Sequence, residues 1–437
     1  MAISASAISG HFNQTDPGKT TLDHAREAYG QVRSATERFS LALSPEDQNL
    51  QSMPDASPIK WHRAHTTWFF ETFLLKPHLQ GYRCFDQAFA YLFNSYYNGI
   101  GAQFPRAQRG LISRPGVEDV SLYRAHVDQA MSHLLNQSTT GRQRSQLMAL
   151  LVLGLNHEQQ HQELMVTDLK HAFSLNPSWP AIGQIANPVA AVNPMGWLGF
   201  DGGLVQIGAT GRGFHFDNEG PRHSVYLMPF QIATRPVNCG EFLDFIEDDG
   251  YRRPELWLSD GWAWVNEQRI SAPLYWYQTE EGWELYTLGG RRALNPAEPA
   301  THLSFYEACA YAEWAEARLP SEAEWEHACS RAGAPGTMAE DGYFHPSVSA
   351  TSGDGLDQML GGVWEWTRSS YAPYPGFRPA AGAVGEYNGK FMANQMVLRG
   401  GSCATPAGHI RPSYRNFFYP GDRWQFSGIR LARDLAA

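Results

Sequence analysis

Apolar positions from Thr21 to about Asn176 recur at spacings of three and four, the signature of helices that bury one face. Four segments carry the pattern. "TTLDHAREAYGQVRSATERFSLAL" opens on hydroxyl caps and continues in good helix formers, and "WHRAHTTWFFETFLL" follows Pro58 and is strongly apolar. "SLYRAHVDQAMSHLL" is amphipathic, and the long "RQRSQLMALLVLGLNHEQQHQELMVTDLKHAF" closes the region. Four such helices predict an up-and-down bundle over residues 1–176.

The pattern then breaks. Pro177, Pro180, Pro188 and Pro194 mark a linker over residues 177–195. Beyond it Gly, Trp and Tyr become dense and helical periodicity becomes rare. "GGLVQIG", "HSVYLMPFQIA" and "MVLRGGS" read as short strands. "SFYEACAYAEWAEA" and "SEAEWEHACSR" read as helices, the second with Ser321 as N-cap and Glu324 three residues on. The expected class is α+β, a helical bundle followed by a mixed domain over residues 196–437.

Composition narrows the functional classes. The 437 residues carry a formal charge of −10 with no Lys/Arg run, which argues against nucleic-acid binding. The five cysteines are scattered without a CxxC pair, as in a reducing compartment. The N-terminus lacks a basic region followed by an apolar core, and no apolar run reaches membrane-spanning length. A cytoplasmic protein without a membrane partner is the expectation.

The candidate chemistry sits on the last bundle helix. Leu150, Gly154, His157, His161, Leu164 and Asp168 form one stripe at alternating spacings of four and three, so both histidines point where the apolar residues point. A buried imidazole can be an inert hydrogen-bonded core residue, but a pair at i, i+4 on a core stripe fits a metal site. A third ligand is expected from "WHRAH", where His62 or His65 would serve.

The H-E-x-x-H of His157 to His161 usually points to a zinc peptidase. The continuations such enzymes need are missing. The position six residues after His161 is Thr167, and the chain past His171 enters the Pro-rich segment without supplying a glutamate on a further helix. One residue along a helix turns Glu158 about 100° from His157, off the stripe, so it is not expected to act as a base. Three neutral imidazoles without a carboxylate suit zinc and equally Fe(II) with open positions.

Taken together the motifs resemble a known family. "KWHRAHTTWFFETFLL", "FAYLFNSYYN", "FPRAQRGLISRP" and "NHEQQHQEL" resemble the DinB-type four-helix bundle of the ergothioneine-biosynthesis sulfoxide synthases. "RLPSEAEWEHA", "GGVWEWT", "VLRGGS" and "IRPSYRNFFYPGDRWQFSGIRLA" resemble the formylglycine-generating-enzyme-like (C-type-lectin-like) domain that closes the pocket in that family. The resemblance implies Fe(II) held by His65, His157 and His161, with His65 preferred over His62. It implies an O2-dependent reaction that joins a sulfur donor to C2 of the imidazole of hercynine and yields a sulfoxide. It places Gln160 and Asn416 on the imidazole and polar end of hercynine, with Phe417 and Phe418 nearby. Aromatic faces suit a trimethylammonium group. Tyr96 and Tyr97 match the branch whose hydrogen-donating tyrosines come from the bundle, while "RPAAGAVGEYNG" has no tyrosine at the place another branch uses.

Departures concern the donor. The aspartate and arginine that grip γ-glutamylcysteine in one branch align with Phe418 and Asp422, which makes cysteine or a donor that is not an amino acid the stronger expectation. Arg106 and Arg109 are candidates for a carboxylate or hydroxyl-rich donor. Cys84 and Ala393 depart from the usual residues, and related selenoneine synthases join a selenosugar to hercynine, so selenium donation is the alternative. Copper-dependent formylglycine generation needs two cysteines after "RGGS", where only Cys403 stands. A reading from another class is a DinB-type metal-binding protein without oxygenase chemistry.

Overall fold

The computed structural model describes residues 21–137, 141–183, 194–348, 355–380 and 382–435. The first 20 residues of the expected bundle and Pro188 of the expected linker lie outside them. Two compact units emerge: residues 1–172 with 210–217 and 378–389, and residues 173–209 with 218–377 and 390–437. Each is described by itself.

In the first unit the four periodic segments form α1 (Thr21–Ser40), α2 (Ile59–Phe70), α3 (Val117–Asn136) and α4 (Gly141–Ser174). Pro58 stands at the N-cap of α2, where its missing N–H costs nothing. Past Phe70 that helix widens into a π-turn, Glu71–Leu75, whose Glu71 carboxylate accepts the Tyr82 and Tyr123 hydroxyls at 2.7 and 2.8 Å. Trp68, Phe69, Phe70, Val127, Leu151 and Leu155 are among the buried residues of the core between the helices.

A buried ionic cluster also ties the helices together. Arg33 of α1 reaches Thr67 of α2 (3.0 Å), Asp128 of α3 (2.8 Å) and Glu158 of α4 (2.9 Å). Arg124 of α3 reaches the other Glu158 oxygen at 3.0 Å and the Arg63 carbonyl at 2.9 Å. Thr36 donates to Glu158 at 2.7 Å, so a fully buried carboxylate receives donors from two other helices. Such a cluster specifies which helices meet, and it is costly to break on one side only.

Close approach of α2 and α4 depends on Gly154. A Cβ there would stand 2.6 Å from Phe70 Cε1 and 3.0 Å from Phe69 Cε1. The next residue on the stripe is His157.

The second unit is built from small sheets and short helices. Strands β1 (Trp197–Phe200), β4 (Phe230–Ala233) and β9 (Ala432–Asp434) form one sheet in the order β1-β4-β9, with β4 antiparallel to both neighbours. Strands β5 (Trp364–Ser370), β6 (Met396–Arg399), β7 (Asn416–Phe418) and β8 (Ser427–Gly428) form another, in the order β7-β6-β5-β8. "GGLVQIG" supplies β2 (Gly203–Ile207), which pairs with β3 (His223–Leu227). "HSVYLMPFQIA", read above as one strand, is two: Met228 and Pro229 part β3 from β4 because proline cannot donate to a ladder.

Helices α7 (Phe305–Trp314) and α8 (Glu322–Ala332) stand where the sequence predicts them, and Ser321 caps α8 with Glu324 completing the reciprocal bond. Two further helices, α5 (Cys239–Glu247) and α6 (Ser259–Gln268), escaped the periodicity reading. Asn238 caps α5 with Glu241 at the third position, a signature present in the sequence. The motif residues of this half are spent on one another. Glu365 accepts Trp325 Nε1 at 2.5 Å and Arg430 Nε at 2.9 Å, and Trp366 donates to the Leu303 carbonyl at 2.8 Å. Among the described residues no helix is long and apolar enough to cross a membrane.

Candidate metal centre

Helix α4 carries His157 and His161 one turn apart, and α2 faces them with His65. One ring nitrogen from each of the three lies within 4.8 Å of the others. His65 and His157 are buried, and His161 is partly exposed. Among the described residues this is the one cluster of three or more such side chains able to hold an ion.

The His65 ring is fixed on every side. Trp61 stacks on one face at 4.6 Å and 12°, and Trp68 on the other at 5.6 Å and 13°, as i−4 and i+3 spacing on a helix dictates. Its Nδ1 lies 2.6 Å from the Phe93 carbonyl and must be the donor there, so Nε2 carries the lone pair. That nitrogen faces His157 Nε2 at 3.2 Å. Phe69 packs against the His157 ring at 4.9 Å.

Burial holds all three imidazoles neutral. It pushes His157 down to about 4, helped by the neighbouring His62 and opposed by Glu158. Burial also drives His65 and His161 well below the ordinary histidine range, and the adjacent His157 ring adds to the shift in both. Neutral nitrogens with free lone pairs are what a divalent metal requires of histidine. The lone pair on His65 Nε2 needs a proton or a cation from the side of His157 Nε2, 3.2 Å away. The spacing also suits a common ion, since two nitrogens each about 2.1 Å from one metal at roughly 100° stand about 3.2 Å apart. The residues present therefore fit a metal.

His62, the other half of "WHRAH", does not join the cluster. Its Nδ1 lies 2.7 Å from His161 Nδ1, and its Nε2 lies 3.1 Å from Asp168 Oδ2. The same carboxylate oxygen accepts the Ser57 N–H at 2.8 Å. Asp168 is legible as the last member of the stripe that carries His161, but spacing gives it no partner. The fold supplies one.

Arg109 sits beside this assembly. It is buried, with its guanidinium 3.4 Å from the centre of the Trp61 ring and hydrogen bonds to Ser57 Oγ (2.9 Å) and Ser95 Oγ (3.1 Å). Burial lowers it to about 9, still a cation at neutral pH. No carboxylate forms an ion pair with it among the described residues, and its Nε has no hydrogen-bond partner there. Arg106 is exposed and donates to the Tyr96 hydroxyl at 2.6 Å.

The two tyrosines differ. Tyr97 is buried against Trp68 (5.6 Å), Phe73 (5.2 Å) and Phe69 (6.4 Å), so one aromatic ring separates it from His157. Burial raises its hydroxyl far above the ordinary range. Tyr96 is half-buried and lies 6.1 Å from Tyr387, a residue the sequence reading did not single out. Tyr387 arrives with the segment 378–389, whose Glu386 carboxylate accepts the N–H groups of Asn98 and Gly99, both at 2.9 Å.

Gln160 is half-exposed on α4. Asn416, Phe417 and Phe418 form β7 in the second unit, where Phe417 stacks on Tyr371 at 4.0 Å and Phe418 meets Trp424 edge-on at 5.8 Å. Glu158, as expected, points away from the histidines, into the arginine cluster.

Comparison with known proteins adds the lineage. Residues 189–347 and 334–435 match the sulfatase-modifying factor enzyme 1-like domain. A hercynine oxygenase of Mycolicibacterium thermoresistibile is 31% identical over 95% of this chain and 96% of that protein. The chain belongs to the ergothioneine sulfoxide synthase family. A second hercynine oxygenase of this kind, from Mycolicibacterium smegmatis, is 36% identical over 65% of this chain and 71% of its own length. The ergothioneine biosynthesis protein 1 of Schizosaccharomyces pombe is 28% identical over 51% of this chain and 28% of that protein. The histidine cluster lies ahead of the residues that match this domain.

Proposed function

We propose that this protein is an O2-dependent non-haem iron enzyme that joins a chalcogen donor to C2 of the imidazole of hercynine. The observation that carries the reading is the cluster of three neutral, carboxylate-free imidazoles in a member of this family. His65, His157 and His161 would hold Fe(II), which when bound supplies open positions for donor, hercynine and dioxygen.

The protein's own residues do the rest. The Trp61–Trp68 sandwich and the Phe93 carbonyl keep His65 from rotating, so its lone pair stays aimed at the other two rings. Arg109, a buried cation with no ion-pair partner among the described residues, is assigned to a carboxylate or hydroxyl of the donor. Tyr97, kept protonated by burial, is assigned as the proton donor, with Tyr96 as the second candidate. Gln160 beside His161 is assigned to the imidazole of hercynine. Asn416, Phe417 and Phe418 keep the substrate-binding role implied by the resemblance. Apolar walls around Phe69, Phe73 and Trp68 keep water from the buried side.

One observation bears on the donor. The positions aligned with a dipeptide clamp are committed elsewhere, because Asp422 accepts the Tyr419 N–H at 3.0 Å and Phe418 packs on Trp424. This favours free cysteine or a selenosugar over γ-glutamylcysteine. The test is a competition under O2 with Fe(II)-loaded protein and hercynine, offering all three donors and reading products by mass spectrometry. A sulfoxide adduct from a thiol assigns C–S bond formation, and an adduct from the selenosugar alone assigns C–Se bond formation. No adduct from any donor, with tight metal binding, would leave a metal-binding protein of other purpose and overturn the proposal.

A further inference from the structure

We infer that Asp168 and His62 form a relay that fixes the tautomer of His161 and so decides which of its nitrogens faces the metal. The inference rests on the three-histidine reading above. In this chain of contacts the carboxylate has an unambiguous role, since it accepts hydrogen bonds and cannot donate them. Asp168 Oδ2 lies 3.1 Å from His62 Nε2, so His62 carries its proton there. A neutral His62 then has its lone pair on Nδ1, which stands 2.7 Å from His161 Nδ1. His161 must donate across that contact. Its proton is thereby placed on Nδ1, and Nε2 is left with the lone pair.

His65 reaches the same state by a different route, its Nδ1 proton going to the Phe93 carbonyl at 2.6 Å. Two ligands from two helices are thus each locked with Nε2 free, one by a backbone carbonyl and one by a carboxylate acting through a second imidazole. The relay is itself anchored. Both His62 and Asp168 are buried, and the oxygen that holds His62 also holds the Ser57 N–H at 2.8 Å, just ahead of α2. Reversing the His62 ring's tautomer would put two N–H groups, or two lone pairs, face to face at one of its contacts. In a buried site such a mismatch costs about as much as a lost hydrogen bond.

His62 and Asp168 are therefore positioning residues. Loss of such a partner behind a metal-bound histidine typically weakens metal affinity about 10–100-fold. The variants separate the relay from simple packing. In Asp168→Ala the acceptor is gone, while Asp168→Asn keeps a carbonyl oxygen in the same place. In His62→Phe the acceptor for His161 is gone while the Asp168–Ser57 bond is untouched, and His62→Gln returns an acceptor.

The experiment has two readouts besides turnover. The first is the histidine ring 15N–1H correlation spectrum of metal-free protein, with His161 assigned by its substitution. The second is anaerobic titration with Co(II), followed by its visible spectrum. The relay predicts an Nδ1–H His161 in the wild type and in Asp168→Asn, and a mixed or Nε2–H ring in Asp168→Ala. It predicts Co(II) affinity lowered about 10–100-fold in Asp168→Ala and His62→Phe, and largely restored in Asp168→Asn and His62→Gln. A doubly protonated His62, or an unchanged His161 tautomer in Asp168→Ala and His62→Phe, overturns it. Wild-type protein that binds no Co(II) but shows the expected tautomers would instead sink the metal-site reading and leave the hydrogen-bond relay standing.

Discussion

Replacing Glu158 by glutamine changes one heavy atom in the middle of the H-E-x-x-H motif and should leave the metal site alone while loosening the bundle. The Glu158 carboxylate is fully buried and receives Arg33 at 2.9 Å, Arg124 at 3.0 Å and Thr36 at 2.7 Å. Glutamine keeps one acceptor oxygen and turns an NH2 towards one of the two guanidinium groups, leaving that arginine buried without its counter-charge. Breaking a buried pair from one side costs about 3–5 kcal/mol. A second route gives a similar figure. The two arginines outweigh burial and hold Glu158 at about 2, against an ordinary 4.5, and at 1.36 kcal/mol per unit this is about 3 kcal/mol. For a unit of this size about 3–5 kcal/mol lowers Tm by roughly 6–20 °C.

The pH dependence follows from the direction of the shift. The folded-state value lies below the unfolded one, so the contribution is complete above about pH 5 and is lost as pH falls through about 2. Thermal melts of wild type and Glu158→Gln from about pH 7 down to pH 3 should therefore converge on acidification. At neutral pH the variant should bind Co(II) with wild-type affinity and, per folded molecule, retain most of its turnover. Unchanged Tm at pH 7 would refute the charge-cluster argument. Wild-type Tm and metal affinity with turnover abolished would instead give Glu158 the catalytic role that its direction away from the histidines denies it.

Other expectations can be checked alongside. His161→Ala should lower Co(II) and Fe(II) affinity by more than the roughly 10–100-fold expected for a neighbour of a ligand, measured by anaerobic titration. Tyr97→Phe should divert turnover towards simple oxidation of the donor, read as the adduct-to-oxidised-donor ratio, and Tyr96→Phe tests the second candidate. Unchanged ratios in both would remove the proton-donor role. Because burial holds the Tyr97 hydroxyl protonated, that ratio in the wild type should not fall through tyrosine ionisation between about pH 6 and pH 9. Gly154→Ala and Gly30→Ala should differ in sign. The first forces a methyl into Phe70 and Phe69 and should cost about 1–3 kcal/mol, whereas the second faces open space on α1 and should gain up to about 1 kcal/mol, both read by denaturant midpoints.

How much of this was legible depends on whether a feature is local. His157, His161 and Asp168 announced themselves because helical spacing alone puts them on one stripe, and Gly154 belonged to it for the same reason. The capping box of α8 is likewise written in four consecutive residues, Ser321 to Glu324. What failed was long-range or unpatterned. The α5 helix is too short for its periodicity to stand out, although Asn238 and Glu241 mark its start. The residues of "WHRAH" left His62 and His65 level, because the choice depends on which ring Trp61 and Trp68 sandwich and which ring Asp168 holds from 106 positions away. Tyr387 could not be placed beside Tyr96 without knowing that residues 378–389 group with the bundle. Arg109 was visible as a charge, but its burial against Trp61 was not.

The two polar clusters of the bundle explain why adjacent residues on α4 have opposite fates. His157 turns towards neutral nitrogens and Glu158 towards arginines, so the helix keeps a carboxylate out of the metal set by spending it on Arg33 and Arg124. On the histidine side stand Arg109 and, behind His62, Asp168. These two offset each other, and with the proposed Fe(II) in place the site would carry a dication faced by neutral ligands. Low-dielectric surroundings make such an excess expensive unless anions enter with the substrates. A thiolate or selenolate and a carboxylate would supply that balance, which is a physical reason for an all-histidine set to favour anionic donors. The consequence is directional: Arg109→Met should weaken the donor's KM while leaving Co(II) affinity equal or slightly tighter. Weaker metal binding in that variant would show that Arg109 acts through Trp61 and His65 packing and not through its charge.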